Sequence, residues 1–246
     1  MEYFASGAQA DIYKDGSRAI KLFKYSIPKE DIEYEMKLQK TAFEYGLPVP
    51  KIFNFTEING RFGFVMEYIN GVPLGKLIFD DNSKLSEYME KSIEIQRDLH
   101  KIETSKFPGM KNKLIRFIMR INKLNEVDKE KILLKLENMA FQSKLCHGDF
   151  HVQNLLQTST EIVIIDWICS CAGTPEPDIY RTYLLYKLFN PEIAELYLDI
   201  YCKTVKIDKA KILEWALVVT AARLGEYTKD ENEEKMLIGI IRNNMY

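Results

Sequence analysis

The sequence has little of what marks secreted, membrane-spanning or zinc-binding proteins. Its four cysteines show no CxxC spacing, and its N-terminus lacks the basic and apolar regions of a signal peptide. The longest strongly apolar run, at 215–222, is far shorter than the roughly 20 residues that cross a bilayer. We therefore expect a cytoplasmic protein with reduced, buried cysteines, although Cys169 and Cys171 could also form a metal or redox pair.

An excess of charge of one sign is also absent. Lys and Arg number 34 against 36 Asp and Glu, so the formal net charge is −2 and gives no general attraction to nucleic acid or to an anionic membrane. Hydrophobic residues make up 46% of the chain, which is enough for a substantial core. The length of 246 residues suits one large domain or two small lobes around a cleft.

The first quarter of the chain carries most of the strand signals. Asp15-Gly16 and Asn59-Gly60 favour tight hairpin turns, because these residue types tolerate positive φ. Pro28 and Gly46 suit the start and end of a single helix. The predicted strands are 3–6, 10–14, 17–24, 52–55 and 62–68.

Strand signals nearly vanish after Leu74, and helical patterns replace them. The predicted helices are 83–102, 112–124, 128–142 and several from about 178 onward. A boundary near Asn70-Gly71 would separate a small β-rich lobe, 1–69, which we expect to bind a nucleotide, from a larger helical lobe, 70–246. The sequence therefore predicts an α+β fold with two lobes.

The most informative segment is 146–154, Cys-His-Gly-Asp-Phe-His-Val-Gln-Asn, which Asp166 follows after the apolar run 162–165. Phosphoryl transfer needs a carboxylate that orients the attacking hydroxyl, and an amide and a second carboxylate that bind Mg²⁺. Alone, Asp149 would fit a turn or cap. With Asn154 and Asp166 at this spacing, we predict that Asp149 is the catalytic base and that the other two are metal ligands.

Lys21 lies inside a predicted strand, where a buried Lys needs a partner. Glu35 is the favoured partner because it falls on the apolar side of the predicted helix, with Glu30 and Glu33 as rivals. A Lys–Glu pair that meets the α- and β-phosphates is a known device of kinases. A solvent-facing Lys21 remains the alternative.

The hairpin at 6–13 is the candidate segment for covering the phosphates. It has a single glycine, Gly7, where a full G-x-G-x-x-G motif has three. Small residues at Ala8 and Ala10 would still let the backbone approach a phosphate. An ordinary N-terminal hairpin remains the alternative.

The histidines and the C-terminal acids are weaker candidates. We expect His147 to brace its loop by hydrogen bonds, His151 to lie near nucleotide or water, and His100 to be structural. Candidate acceptor-binding residues are Glu226, Asp230, Glu231, Tyr227 and Trp167. The acids could receive an amine or be solvated surface charges, and the aromatics could pack against a sugar or quaternary amine or be core residues.

With these motifs, the chain resembles the aminoglycoside phosphotransferase and choline kinase-like family, a branch of the protein-kinase-like fold. The matching segments are the helix and turn at 35–50, the hinge at 65–71, the catalytic loop at 147–154, the metal-binding segment at 165–167, and the segment 173–178 that ends in the family's following Asp. The resemblance implies a small antiparallel N-terminal sheet with one helix, and a larger, mainly helical C-terminal lobe. It also implies that the Glu67 carbonyl and Ile69 amide bond adenine or guanine, and that Asp178 supports the catalytic loop together with Arg181.

We therefore expect an ATP- or GTP-dependent O-phosphotransferase that uses Mg²⁺ and acts on a small hydroxyl compound. Aminoglycoside-like compounds, amino sugars, aminoalcohols and ribosides are the acceptor classes considered. A pseudokinase-type regulatory module is an alternative, although none of the three motif residues is missing. A Ser/Thr protein kinase is less favoured because 173–175, Gly-Thr-Pro, follows Asp166 too closely for an activation segment.

Overall fold

A computed structural model describes residues 1–7, 9–226 and 230–245 of the chain. The strands are β1 (Glu2–Ser6), β2 (Ala10–Asp15), β3 (Arg18–Phe23), β4 (Ile52–Ile58), β5 (Arg61–Glu67), β6 (Val72–Pro73), β7 (Lys144–Cys146), β8 (Leu155–Gln157), β9 (Ile162–Ile164) and β10 (Cys171–Gly173). The helices are α1 (Lys29–Glu44), α2 (Leu74–Asp80), α3 (Leu85–Leu99), α4 (Met110–Met119), α5 (Glu126–Glu137), α6 (Pro175–Phe189), α7 (Pro191–Val205), α8 (Lys209–Leu213), α9 (Ala216–Gly225) and α10 (Glu231–Asn243).

The chain divides into two units, which do not coincide with the predicted lobes. The first unit comprises Met1–Leu85 and Val152–Cys169, and the second comprises Ser86–His151 and Ser170–Tyr246. The predicted division after residue 69 falls inside the first unit, because β6 pairs with β8 and β8 pairs with β9. Residues 72–73 therefore belong to the same unit as 155–164, although the two segments are far apart in the sequence.

An antiparallel sheet with the order β1-β2-β3-β5-β4 forms the main part of the first unit. Positive φ angles at Gly16, Asn59 and Gly60, of 61°, 52° and 74°, let the chain reverse at the two predicted turns. In this register Lys21 lies opposite Ile12 on one side and Phe64 on the other. Lys21 is therefore in the middle of the sheet.

Helix α1 packs its apolar side against this sheet. Ile32 and Met36, one turn apart, are buried with Phe23 and Phe64 in the core of the first unit. The helix begins after Pro28, whose fixed φ suits a helix start, and the chain turns away at Gly46, with a φ of 74°. The predicted bounds of this helix are confirmed.

The second unit is mainly helical. Helix α4 packs against α9, α6 against α7, and α9 against α10, while β7 and β10 form a short antiparallel ladder. The contact between α4 and α9 is unusually close, because a Cβ added at Gly225 would lie 1.8 Å from the Phe117 carbonyl oxygen. In the described residues, every helix is too short or too polar to traverse a lipid bilayer.

Candidate active site

The loop that carries Asp149 leaves β7 in the second unit. Gly148 has a φ of 77°, a conformation that favours glycine, which explains the glycine between His147 and Asp149. The Gly148 amide donates a hydrogen bond of 2.7 Å to Oδ1 of Asp178. Asp178, in the first turn of α6, therefore fixes the backbone immediately before Asp149.

Asp178 is itself held from several sides. Its Oδ2 lies 2.9 Å from Nε2 of His100 and accepts a bond of 3.2 Å from Nε2 of Gln96. Burial tends to raise the pKa of Asp178, but the bonds to His100, Gly148 and Gln96 outweigh it and hold the pKa below its usual value. His100 thus takes a structural position, as expected. The sequence reading missed Gln96, although its i, i+4 spacing to His100 places both on one helix face.

The Asp149 side chain is about a quarter exposed, and its Oδ2 lies 3.6 Å from Nε2 of His151. Burial tends to raise the pKa of Asp149, but the hydrogen bond from His151 and the charge of Arg181 hold it well below its usual range. His147 is buried and packs edge-on against Phe150, with ring centroids 5.8 Å apart. The loop therefore carries a partly accessible carboxylate that is ionised at neutral pH.

In the first unit, β8 and β9 bring Asn154 and Asp166 close together. The Ile165 amide donates a hydrogen bond of 3.0 Å to the Asn154 carbonyl, so the residues next to the ends of the two strands are adjacent. Asn154 is buried, whereas the Asp166 side chain is 40% exposed. Asp166 has a φ of 65°, a conformation that Asp and Asn tolerate better than most residues.

These two side chains fit a magnesium ion by their chemistry. Mg²⁺ prefers hard oxygen donors, and it is usually held by one or two carboxylates together with phosphates and water. Asp166 offers a partly exposed carboxylate and Asn154 an amide oxygen. The donor set therefore agrees with the metal that the sequence predicts.

Lys21 points toward the same segment of the first unit. Its Nζ lies 2.5 Å from Oε1 of Glu35 and 3.7 Å from Oδ1 of Asp166. Burial tends to lower the pKa of Lys21, but the Glu35 and Asp166 carboxylates raise it above its usual value. The rivals Glu30 and Glu33 are exposed on α1. The structure therefore pairs Lys21 with Glu35.

The predicted hinge follows β5. The Glu67 amide donates to the Lys51 carbonyl at 2.8 Å, and the Tyr68 amide donates to the Ser17 carbonyl at 3.0 Å. These bonds fix the backbone on both sides of the Glu67 carbonyl. The nucleotide-binding roles of that carbonyl and of the Ile69 amide stay predictions.

The hairpin at 6–13 is described only in part. The Gly7 amide donates to the Ala10 carbonyl at 2.8 Å, which closes the turn between β1 and β2. Ala8 lies outside the described residues. Contact of Gly7 and Ala8 with phosphate stays a prediction.

Glu226 is held by arginines. Its Oε2 accepts hydrogen bonds of 2.7 Å from both Arg181 and Arg223, and Arg223 also lies 2.6 Å from Oε1 of Glu233. Burial tends to raise the pKa of Glu226, but Arg181 and Arg223 outweigh it and keep the pKa below its usual value. The carboxylate therefore pairs with two guanidinium groups of its own unit.

The other acceptor candidates also have structural positions. Asp230 caps α10 by accepting a bond of 2.8 Å from the Asn232 amide, and Glu231 is exposed on that helix. Trp167 is fully buried and donates to the Ile164 carbonyl at 3.1 Å, so it is a core residue. Tyr227 lies outside the described residues.

The sequence model of the phosphotransferase enzyme family, APH, matches residues 3–215. The chain belongs to this family. It is therefore a small-molecule phosphotransferase, as its motifs predict. No curated protein sequence gives a significant match.

Solved structures show that the fold is protein-kinase-like. The aminoglycoside phosphotransferase APH(4)-Ia, in complex with ADP and hygromycin B, is 13% identical with a TM-score of 0.72, covering 98% of this chain and 93% of that one. Choline kinase LicA from Streptococcus pneumoniae is 16% identical with a TM-score of 0.64, covering 99% and 93%. The aminoglycoside phosphotransferase APH(2'')-Ib, bound to ADP, is 18% identical with a TM-score of 0.61, covering 99% and 91%. At these identities the likeness concerns the fold alone.

Proposed function

We propose that the protein transfers the terminal phosphoryl group of ATP or GTP to a hydroxyl of a small molecule, with Asp149 as the catalytic base. The observation that carries this proposal is the ionised, partly accessible Asp149 carboxylate on a loop anchored to Asp178, in a chain of the phosphotransferase family. A cytoplasmic location remains a prediction.

Asp149 would act mainly by position. A carboxylate whose pKa is held so low is a weak base, so it accepts a hydrogen bond from the acceptor hydroxyl and takes its proton late in the reaction. This suits phosphoryl transfer, in which the transition state is loose and the nucleophile needs orientation more than deprotonation. His151 keeps the carboxylate ionised and limits its orientations.

The first unit would bind the nucleotide phosphates. Asn154 and Asp166 would hold Mg²⁺, which neutralises phosphate charge when bound. Lys21 would bind the α- and β-phosphates while Glu35 keeps its ammonium in place. The Glu67 carbonyl and the Ile69 amide would bond the base.

Among donors, ATP is the first to test, because two structural neighbours are solved with ADP. For the acceptor, the neighbours suggest two classes, an aminoglycoside and choline. The arginine-bound state of Glu226 gives no support to its predicted role as a receiver of amines. The acceptor panel should therefore contain neutral and acidic hydroxyl compounds as well as cationic ones.

The test is direct detection of a phosphorylated product. The protein would be incubated with Mg-ATP or Mg-GTP and a panel of aminoglycosides, choline, amino sugars, hydroxy acids and ribosides. Phosphorus NMR and mass spectrometry would identify a new phosphomonoester, with the Asp149→Asn variant as the blank. We expect a product with one acceptor class. Phosphorylation of a generic protein with no small hydroxyl compound accepted would contradict the proposal, and nucleotide binding without any turnover would favour the pseudokinase alternative.

A further inference from the structure

Two cysteines of the second unit face each other directly across the β7–β10 ladder. Cys146 and Cys171 are Cα partners, so their side chains leave the same face of the ladder. Directly opposed residues of antiparallel strands have Cα atoms about 4.5–5.5 Å apart, which lies within the 4.4–6.8 Å that a disulfide spans. The strand pairing therefore places the two sulfurs where a bond can form with little movement of the backbone.

A small cavity borders one of the two cysteines, Cys171, which is itself buried. The cavity has a volume of about 50 Å³ and is lined by Cys171, Gly148 and Lys113 among others. A volume of roughly 10–15 Å³ already holds a water molecule, so a molecule of the size of hydrogen peroxide fits. Cys146 does not line this cavity and is fully buried. Cys171 is thus the thiol that a small oxidant meets first.

The surroundings also shift the pKa values of the two thiols in opposite directions. The neighbouring Cys146 side chain lowers the pKa of the Cys171 thiol, and the Lys113 ammonium acts in the same direction against burial. Burial raises the pKa of the Cys146 thiol. Peroxides react with thiolates, and the resulting sulfenic acid condenses with a neighbouring thiol. The geometry supplies both partners.

We propose that Cys171 is a peroxide-reactive site and that Cys146 is its resolving cysteine. The Cys171 thiolate attacks one peroxide oxygen, the O–O bond breaks, hydroxide leaves, and the sulfur becomes a sulfenic acid. The Cys146 sulfur then attacks the Cys171 sulfur, and the thiol proton leaves with the departing hydroxyl as water while the S–S bond forms. The two sulfurs together lose two electrons, and the peroxide is reduced to one water and one hydroxide, which becomes a second water when it takes up the proton that the Cys171 thiol released on ionising.

This bond would act on the loop that carries Asp149. Cys146 is the last residue of β7 and directly precedes His147, and its Sγ lies 3.4 Å from the Thr174 carbonyl oxygen. A disulfide would remove the thiol hydrogen from this contact and turn the side chain toward Cys171. We expect oxidation to slow phosphoryl transfer about ten-fold or more, because small displacements of positioned groups are costly to catalysis. The effect on rate rests on the proposed function, whereas formation of the bond does not.

Peptide mapping tests the bond independently of activity. The folded protein would be treated with hydrogen peroxide, alkylated, and cleaved after lysine, arginine and glutamate without reductant. Cys146 then lies in 145–161, and Cys169 and Cys171 lie in 162–181. We expect the two peptides to be linked in the wild-type protein and in Cys169→Ser, and to be separate in Cys171→Ser and Cys171→Ala.

Several outcomes would overturn the proposal. They are a link that persists without Cys171, a link that forms only in denatured protein, or no link at all. If both Cys171 variants fail to fold, fragmentation of the linked wild-type peptides still distinguishes Cys169 from Cys171.

The activity assay then tests the consequence. We expect dithiothreitol to restore the rate of the oxidised wild-type protein and of Cys202→Ser, a half-buried cysteine on α7 that serves as the control. Peroxide should leave the rate of Cys171→Ser unchanged. A disulfide that forms without any change in rate would overturn the regulatory role.

Discussion

At the scale of single residues, Asp149 combines a fixed charge with weak basicity. His151 and Arg181 keep its carboxylate ionised although it is largely enclosed, and Asp178 fixes the preceding amide. A stronger base at this position would bind a proton near neutral pH and lose its ability to accept the hydroxyl. In the proposed reaction, this environment would suit a residue that orients the acceptor hydroxyl rather than one that deprotonates it early.

Replacement of Asp149 tests this reading. We expect Asp149→Asn to lower kcat by about 10²–10⁴-fold, while the affinity for Mg-nucleotide stays near that of the wild type, since the amide keeps the shape but not the charge. Steady-state kinetics and a nucleotide-binding titration would measure the two effects. Asp128→Asn, at a partly exposed position in the first turn of α5, is the matched control. Near-normal turnover by Asp149→Asn would show that the role is misassigned.

Asp178 should make stability depend on pH in a defined direction. Its pKa is lower in the folded protein, so its ionised form stabilises the fold above the unfolded-state pKa, near 3.9, and this stabilisation is lost as the pH falls. We expect Asp178→Asn to lower the free energy of unfolding by about 3 kcal/mol at pH 7, because it leaves the donors of His100 and Gln96 poorly matched.

Urea unfolding between pH 3 and 7 would check this prediction. The difference between Asp178→Asn and the wild-type protein should shrink below about pH 4 as the wild-type carboxyl is protonated. Asp199→Asn, on the exposed side of α7, should change stability by less than about 0.5 kcal/mol. A difference for Asp178→Asn that stays constant with pH would show that packing, not charge, accounts for it.

At the scale of elements, glycines decide how closely the helices approach. Gly225, at the end of α9, touches the α4 backbone, whereas a Cβ at Gly239 of α10 would meet nothing within 4 Å. Identical substitutions at the two positions should therefore have opposite effects. Comparison of the two variants therefore separates the effect of helix spacing on stability from the effect of helix propensity.

We expect Gly225→Ala to destabilise the fold by roughly 1–3 kcal/mol, because α4 and α9 must move apart to admit the methyl group. Gly239→Ala should stabilise it by about 0.5–1 kcal/mol, because alanine is the better helix former. Thermal and urea unfolding of the two variants would measure both changes. A Gly225→Ala protein as stable as the wild type would mean that the two helices separate at little cost.

Short-range patterns predicted the elements of the N-terminal part well. The hairpin turns at 15–16 and 59–60, the helix that ends before Gly46, and the pairing of Lys21 with Glu35 all follow from local spacing and residue type. Side-chain periodicity identifies which face of a helix is buried, and this was enough to select Glu35. The prediction of several separate helices in the C-terminal region was also correct.

Contacts between distant segments were not predictable in this way. The pairing of β6 with β8, the opposition of Cys146 and Cys171, and the arginine contacts of Glu226 join segments far apart in the sequence. Residue type gives no information on such partners, because an acid near the C-terminus looks the same whether it faces solvent or a guanidinium. This is why Glu226 was a candidate receiver of amines.

At the scale of the whole molecule, we expect nucleotide binding to raise the free energy of unfolding. With 34 basic and 36 acidic residues, the chain has no strong overall field to attract a polyanion, so nucleotide binding must depend on local groups. The Lys21 Nζ and the Asp166 Oδ1 are 3.7 Å apart, and in the proposed site they would supply opposite charges for the phosphates and the metal. Removal of the metal should therefore weaken the nucleotide effect on the entire fold.

We expect Mg-ATP to raise the Tm of both the wild type and Asp149→Asn, because a ligand at 100 times its Kd adds about 2.7 kcal/mol to the free energy of unfolding. Chelation of Mg²⁺ should remove most of this increment. Asp166→Asn should show the smaller increment with or without Mg²⁺, because its charge for the metal is gone. A full Mg²⁺-dependent increment in Asp166→Asn would rule out this residue as a ligand.

The left-handed backbone at Asp166 limits which residues can ever replace it. With a φ of 65°, only glycine and asparagine take over the conformation readily, and a β-branched or bulky residue would strain the turn after β9. A descendant of this chain that lost catalysis while keeping its fold would thus be expected to carry Asn or Gly at position 166. Inactivation and misfolding are then separable at this position, because the two tolerated residues remove the carboxylate and leave the turn intact.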